Sequence, residues 1–183
     1  MSKDNTEVRV AVDGVIASGP LTATAPTDAV APLATGASGF TDIGYVSEDG
    51  VTESTSQTIE PIKAWQKAAV VRSTVTEGEV TFAYTLIQTN ADTLAEYYGA
   101  TVATDGSIVV DPTRERPHRK YVVDVIDGDE LIRTYVPDGQ VTEVGDQVFQ
   151  NGAPIGYECT VTAFYNEQIG GVAKKWYASL DAS

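Results

Sequence analysis

Two runs of strict alternation constrain this chain more than any other feature. In Glu79–Gln88 the residues Val80, Phe82, Tyr84 and Leu86 fall on one side, and Thr81, Ala83 and Thr85 on the other. In Ile155–Asn166 the residues Tyr157, Cys159, Val161, Ala163 and Tyr165 alternate with Glu158, Thr160, Thr162 and Phe164. A period of two is that of a strand with a single buried face. The chain also holds 23 Val and 22 Thr against 6 Leu, and β-branched side chains pack well on a pleated surface. Turn signals recur at intervals of roughly eight to twelve residues, the rhythm of sandwiches and barrels. The expected fold is mainly β, an antiparallel sandwich or barrel-like domain with one short flanking helix.

That helix is placed at about residues 90–98. Asn90 is its cap, Asp92 lies in the first turn, Gly99 suits the position after the last turn, and Leu94, Tyr97 and Tyr98 fall at helical spacing. Strands are expected around Val8–Val12, around Phe40–Ser47 with Ile43 and Tyr45 on one side, and in a hairpin of Val70–Thr76 and Glu79–Gln88 turning at Gly78. A small hairpin at Thr101–Val110 turns at Asp105-Gly106, and a clearer one joins Lys120–Ile126 to Glu130–Val136 and ends at Pro137-Asp138-Gly139. Gln140–Gln150 and Ile155–Asn166 form the last pair, separated by Asn151-Gly152-Ala153-Pro154. The Ser18–Gly39 segment, with Pro20, Pro26 and Pro32, reads as an irregular excursion. With 183 residues and no internal repeat, a single domain over 1–183 accounts for the chain.

Tyr45–Trp65 stands apart from these patterns. It has neither helical period nor sustained alternation and few apolar residues (Val51, Ile59, Ile62 and Trp65), of which Ile59, Ile62 and Trp65 lie at its far end with Pro61. Long irregular segments inside a compact domain are usually functional. A long loop over about 47–69 is therefore expected to act as a docking arm, beside a polar N-terminal segment at 1–6. A C-terminal tail at about 167–183 carries Trp176 as an aromatic anchor.

The formal charge of −14 argues against binding nucleic acid or anionic membranes, both of which need Lys and Arg. The first residues, Met1–Asn5, are polar and no apolar run approaches membrane-spanning length, so the chain is expected to start in a cytoplasm. Catalytic patterns are weak. The single His118 sits among Arg114, Arg116, Arg119 and Lys120, and no nucleophile elbow accompanies it. Cys159 alternates with Tyr157 and Val161 as a small core residue does, and Asp127-Gly128-Asp129-Glu130 lacks the rest of a calcium loop. Among 26 acids no pair is singled out as a glycosidase pair, so neither an enzyme nor a cofactor or metal site is expected. The basic cluster of Arg114, Arg116, Arg119 and Lys120 has two readings, a patch meeting acids on another copy or a solvated loop.

Three blocks together resemble a known family: Tyr45–Trp65, Phe82–Asn90 leading into Leu94–Gly99, and Gly152–Tyr165. Their combination and order are similar to the major tail tube proteins of long-tailed phages that infect actinobacteria. The resemblance implies a virion protein whose copies close into hexameric rings, stacked into a hollow tube through which DNA is ejected without specific binding. It implies self-association, contact with tape-measure, tail terminator and tip proteins, and a stacking role for the long loop. Ile59, Pro61, Ile62, Trp65, Trp176, Arg114, Arg116 and Arg119 are the expected inter-subunit contacts. The alternatives are another virion β-domain, such as a decoration or tail-tip module, and a small carbohydrate-active β-sandwich.

Overall fold

A computed structural model describes residues 7–36 and 39–180 of the chain. The expected N-terminal segment 1–6 and the last residues of the C-terminal tail lie outside the described residues. The structure is mainly antiparallel β, with a single sheet in the order β2-β1-β5-β6-β7-β4-β3 and β8 added beside β6. The strands are β1 Asp13–Gly19, β2 Thr41–Asp42, β3 Val46–Lys63, β4 Val70–Leu86, β5 Arg119–Asp127, β6 Glu130–Val144, β7 Tyr157–Ala163 and β8 Lys174–Tyr177. The helix, α1, spans Ala91–Tyr98 between β4 and β5.

The two alternating runs behave as their pattern requires. Val80–Leu86 of β4 pairs with Ala163–Tyr157 of β7. Phe82, Tyr84, Leu86, Tyr157, Cys159, Val161 and Ala163 are all buried in one cluster. Ile16 of β1, Tyr121 and Val123 of β5, and Val136 and Val141 of β6 complete that face, which α1 and Ile43 cover. The opposite face of β1, β5 and β6 carries a second cluster of Ala17, Val122 and Tyr135, roofed by Ala23, Leu33, Phe40 and Trp176. The irregular excursion is thus fastened to the body. Arg133 grips Asp124 with two hydrogen bonds (2.8 and 2.7 Å) and donates to the carbonyls of Asp28 and Ala31. Lys120 Nζ donates to the carbonyl of Ala23.

Several local expectations are corrected. Residues 47–69 are not a loop: they form most of β3, a single 3-10 turn at Gln66–Ala68, and the approach to β4. Gly78 is not a turn either, because β4 runs straight through it and Gly78 pairs with Gln57. A strand with neither face buried needs no apolar alternation, so its sequence carries no period to read. Pro137-Asp138-Gly139 does not end β6. The β5 pairing shifts register there, β8 pairing stops at Tyr135 and β7 pairing starts at Gly139, so the missing proline N–H falls in a gap in the ladders. Val8, Val10 and Val12 are exposed and precede β1, although Val12 N still donates to Ile126 O. Ile43 is buried while Tyr45 is exposed, since Gly44 at φ +116° turns the chain between them. Thr101–Val110 has a turn closed by Ala103 and Ser107 but no strands. The 140–150 strand stops at Val144, and Tyr165 lies beyond β7, exposed.

The helix matches its expected signals. The Asn90 side chain accepts from Thr93 N at 2.7 Å, and Gly99 closes the helix at φ +64°. Its innermost side chains, however, are polar. Thr93 and Glu96 are buried, and Thr93 Oγ1 donates to Ile43 O at 2.9 Å. Glu96 accepts from the hydroxyls of Tyr121 (2.5 Å) and Tyr84 (3.4 Å), with Arg119 Nε 4.0 Å away. Burial raises the Glu96 pKa, opposed by the Tyr121 hydrogen bond and then by the Arg119 charge. Burial and the Glu96 charge hold both tyrosines well above their ordinary value, so they remain donors.

Leu86 is fully buried at the base of this cluster, and Leu86→Ala should cost about 2–5 kcal/mol in denaturant unfolding of the unassembled chain. Glu96 has a folded pKa above its unfolded one, so its contribution to stability is complete below the ordinary carboxylate value and is lost as pH rises through the raised value. Unfolding curves at a series of pH values should therefore show wild type losing stability relative to Glu96→Gln as pH rises through that window. A difference that does not change with pH would show that Glu96 has no raised folded pKa.

Candidate assembly surface

Beyond the Val80–Ala163 pair, β3 and β4 leave the sheet together as a two-stranded arm. Every residue of Thr52–Lys63 and of Val70–Glu79 is exposed. At about 3.4 Å per residue the overhang of β4 reaches roughly 30 Å from the body. The arm is rich in Thr, Ser and Glu near its base. Towards its tip it presents Ile59, Ile62, Val70, Val71 and Val75, all more than half exposed, and Trp65 at 97% exposure. Ile59 and Val75 are cross-strand partners, whereas Ile62 lies opposite Arg72, so apolar groups are spread over both faces. The tip closes through Ala64 N to Ala69 O at 2.7 Å, with Lys67 and Ala68 at φ +56° and +51°. Left-handed backbone costs a non-glycine residue about 1–2 kcal/mol, and such strain gathers where structure serves a function.

The sequence-based contact residues do not form one patch. Ile59, Pro61, Ile62 and Trp65 share the arm tip. Trp176 instead belongs to β8, where it packs against Tyr135 (ring centroids 6.4 Å apart) and under the Lys174 ammonium. Arg116 donates to the carbonyls of Glu96 and Tyr97, capping the last turn of α1. Arg119 faces Glu96; Arg114 is exposed, whereas Arg116 and Arg119 are half-buried. Two of the four cluster residues, Arg116 and Arg119, thus engage the helix, and Lys120 holds the excursion at Ala23. Arm residues that the sequence reading passed over are Val70, Val71 and Val75, which it had assigned to a core hairpin.

A second surface emerges only from the pairing register. On the side of the sheet facing away from the core, Thr81 lies opposite Thr162, Ala83 opposite Thr160 and Thr85 opposite Glu158. Thr52 and Ser54 of β3 extend the row. Thr142 and Thr162 hydroxyls are 2.8 Å apart, and Thr162 reaches Glu79. The result is a strip of small, polar or acidic groups with no cation across β3, β4 and β7, with Thr142 of β6 at its margin.

Catalytic candidates are accounted for structurally. His118 Nδ1 lies 2.6 Å from Asp138 and its ring rests on Phe164, with no nucleophile in the arrangement. Cys159 is fully buried and its thiol is pushed up to about 12 by burial, so it stays a neutral core group. Among the described residues no three His, Cys, Asp or Glu side chains are grouped to hold a metal ion. No helix among them is long and apolar enough to cross a membrane.

Comparison with known proteins agrees with this non-catalytic picture. The family model described as phage tail tube protein matches residues 1–178. No curated protein matches the chain. Among solved structures, a chain from the virion of a native gene transfer agent particle is similar over 76% of this chain and 88% of that one. It is 12% identical with a TM-score of 0.38, a likeness too loose to carry an argument. The family match spans nearly the whole chain, and the protein accordingly belongs to the phage tail tube proteins, as a structural component of a virion and not an enzyme.

Proposed function

We infer that this chain is the tube subunit of a long-tailed phage of actinobacteria, assembling through its arm into stacked hexameric rings. The observation that carries this reading is the arm itself. A two-stranded ribbon with neither face buried is marginal in water, yet this one displays an indole and several aliphatic side chains. Burying one indole, on the order of 200 Å² of apolar surface, contributes roughly 5 kcal/mol before the cost of association. Contact with further copies of the chain would supply that burial. Closing the sheet edges between neighbours within a ring would remove the unpaired backbone of β3, which has no outer partner among the described residues.

The Thr, Ser, Ala and Glu strip of β3, β4 and β7 is the best candidate for the lumen wall. Small neutral groups leave a wide bore, and the few charges are acids that repel DNA within a Debye length of about 10 Å. DNA would slide past it without being held. Tape-measure, terminator and tip proteins are the further partners in this reading, and assembly takes place in the host cytoplasm. The decoration or tail-tip alternative predicts monomers or trimers with no annular particles.

Replacing Ile62 and Trp65 together with Ser removes no buried contact, so the unassembled chain should keep its stability to within about 0.5 kcal/mol. Negative-stain microscopy should show rings and tubes for the native chain and their loss in the variant. Tubes of ordinary length from the variant would remove the arm from the assembly mechanism.

A further inference from the structure

The two ends of β4 carry opposite chemistry. From Pro61 to Thr76 the chain has three cations, Lys63, Lys67 and Arg72, and no acid. Lys63 and Lys67 lie two residues to either side of the exposed Trp65, and Arg72 lies opposite Ile62 on the returning strand. From Thr134 to Ala173 it has five acids and no Lys or Arg. Within that acid-only stretch, residues 145–156 connect β6 to β7.

Strand register settles where this connection lies. Val80 pairs with Ala163 and Leu86 with Tyr157, while Val144 pairs with Cys159. The arm tip therefore lies beyond the Val70 end of β4 and residues 145–156 beyond its Leu86 end. At about 3.3 Å per residue, the 17 residues of β4 hold the two roughly 55 Å apart. One copy cannot bring them together.

The connection is fastened rather than loose. Tyr97 Oη donates to Gly145 O at 2.7 Å, and Tyr98 Oη donates to the Gln147 side chain at 3.2 Å. From this support Val148 and Phe149 stand out, 58% and 72% exposed. Exposed Glu143, Asp146 and Glu158 frame them. An apolar pair among acids is the complement of an indole among cations.

We propose that residues 145–156 form the socket for the arm tip of another copy of this chain. Trp65 covers Val148 and Phe149, and Lys63 and Lys67 face Glu143 and Asp146. The assignment rests on the reading of the arm as the element that reaches the next ring. Tip and socket are different surfaces at opposite ends of one strand, so the contact is heterologous. Between copies pointing the same way it repeats along an axis and builds an open stack.

The test places cysteines beside the contact and leaves its side chains intact. Gln66→Cys and Gln150→Cys are made in separate chains, mixed during assembly and treated with a mild oxidant. Native Cys159 is buried and stays out of the reaction. A disulfide-linked dimer should form in the mixture and be absent from either variant alone. Charge reversal at Glu143→Lys with Asp146→Lys should abolish tubes, and adding Lys63→Glu with Lys67→Glu should restore them. Tubes that assemble without the mixed disulfide overturn the socket. If Ile62→Ser with Trp65→Ser still blocks assembly in that case, the arm keeps its role and only its partner surface is wrong. If that variant assembles normally, the arm reading fails first and the socket fails with it.

Discussion

The pairing of Val80–Leu86 with Ala163–Tyr157 is the interaction on which the rest of the molecule depends. It buries Phe82, Tyr84 and Leu86 on one side and lays down the threonine strip on the other. It also clamps the base of an arm that has no core of its own. Without that clamp, β3 and the outer half of β4 would be a bare ribbon of unstable register. Because β4 is one uninterrupted strand, the core at one end and the tip at the other are built on the same backbone.

Polar interactions are spent on positioning the layers against that sheet. Glu96 receives two tyrosine hydroxyls from β4 and β5, so a buried carboxylate orients α1 on the core face. Arg116 caps the same helix from the segment leading into β5. On the opposite face, Arg133 and Lys120 hold the proline-rich excursion by its carbonyls. Buried networks of this kind tolerate little rearrangement, since an unpartnered charge there is costly. The surfaces left over for the proposed assembly are the arm, the strip and the connection after β6.

Legibility followed burial. Where one face of a strand meets the core, as in Thr81–Leu86, the alternation in the sequence matches the burial residue by residue. The helix was equally readable, because Asn90 and Gly99 act through local backbone chemistry. The arm's sequence reads as a loop plus a hairpin, since a ribbon exposed on both faces leaves no periodic trace and Gly78 resembles a turn residue. The basic cluster was only half understood. Arg116 and Arg119 have their partners some 20 residues away in α1, and nothing in the local pattern indicates such pairing.

The amino-acid sequence by itself determined a β-rich, acidic, non-catalytic domain with one capped helix, and marked Ile62 and Trp65 as groups without a place in its core. Those conclusions rest on side-chain chemistry and on periods set by local backbone geometry. Only the tertiary structure decided that β3 and β4 form one continuous arm, that small polar residues line up across three strands, and that a basic tip and an acidic connection lie at opposite ends. Strand register and the partner of each edge are long-range choices, made by which faces are buried together, and no local pattern encodes them.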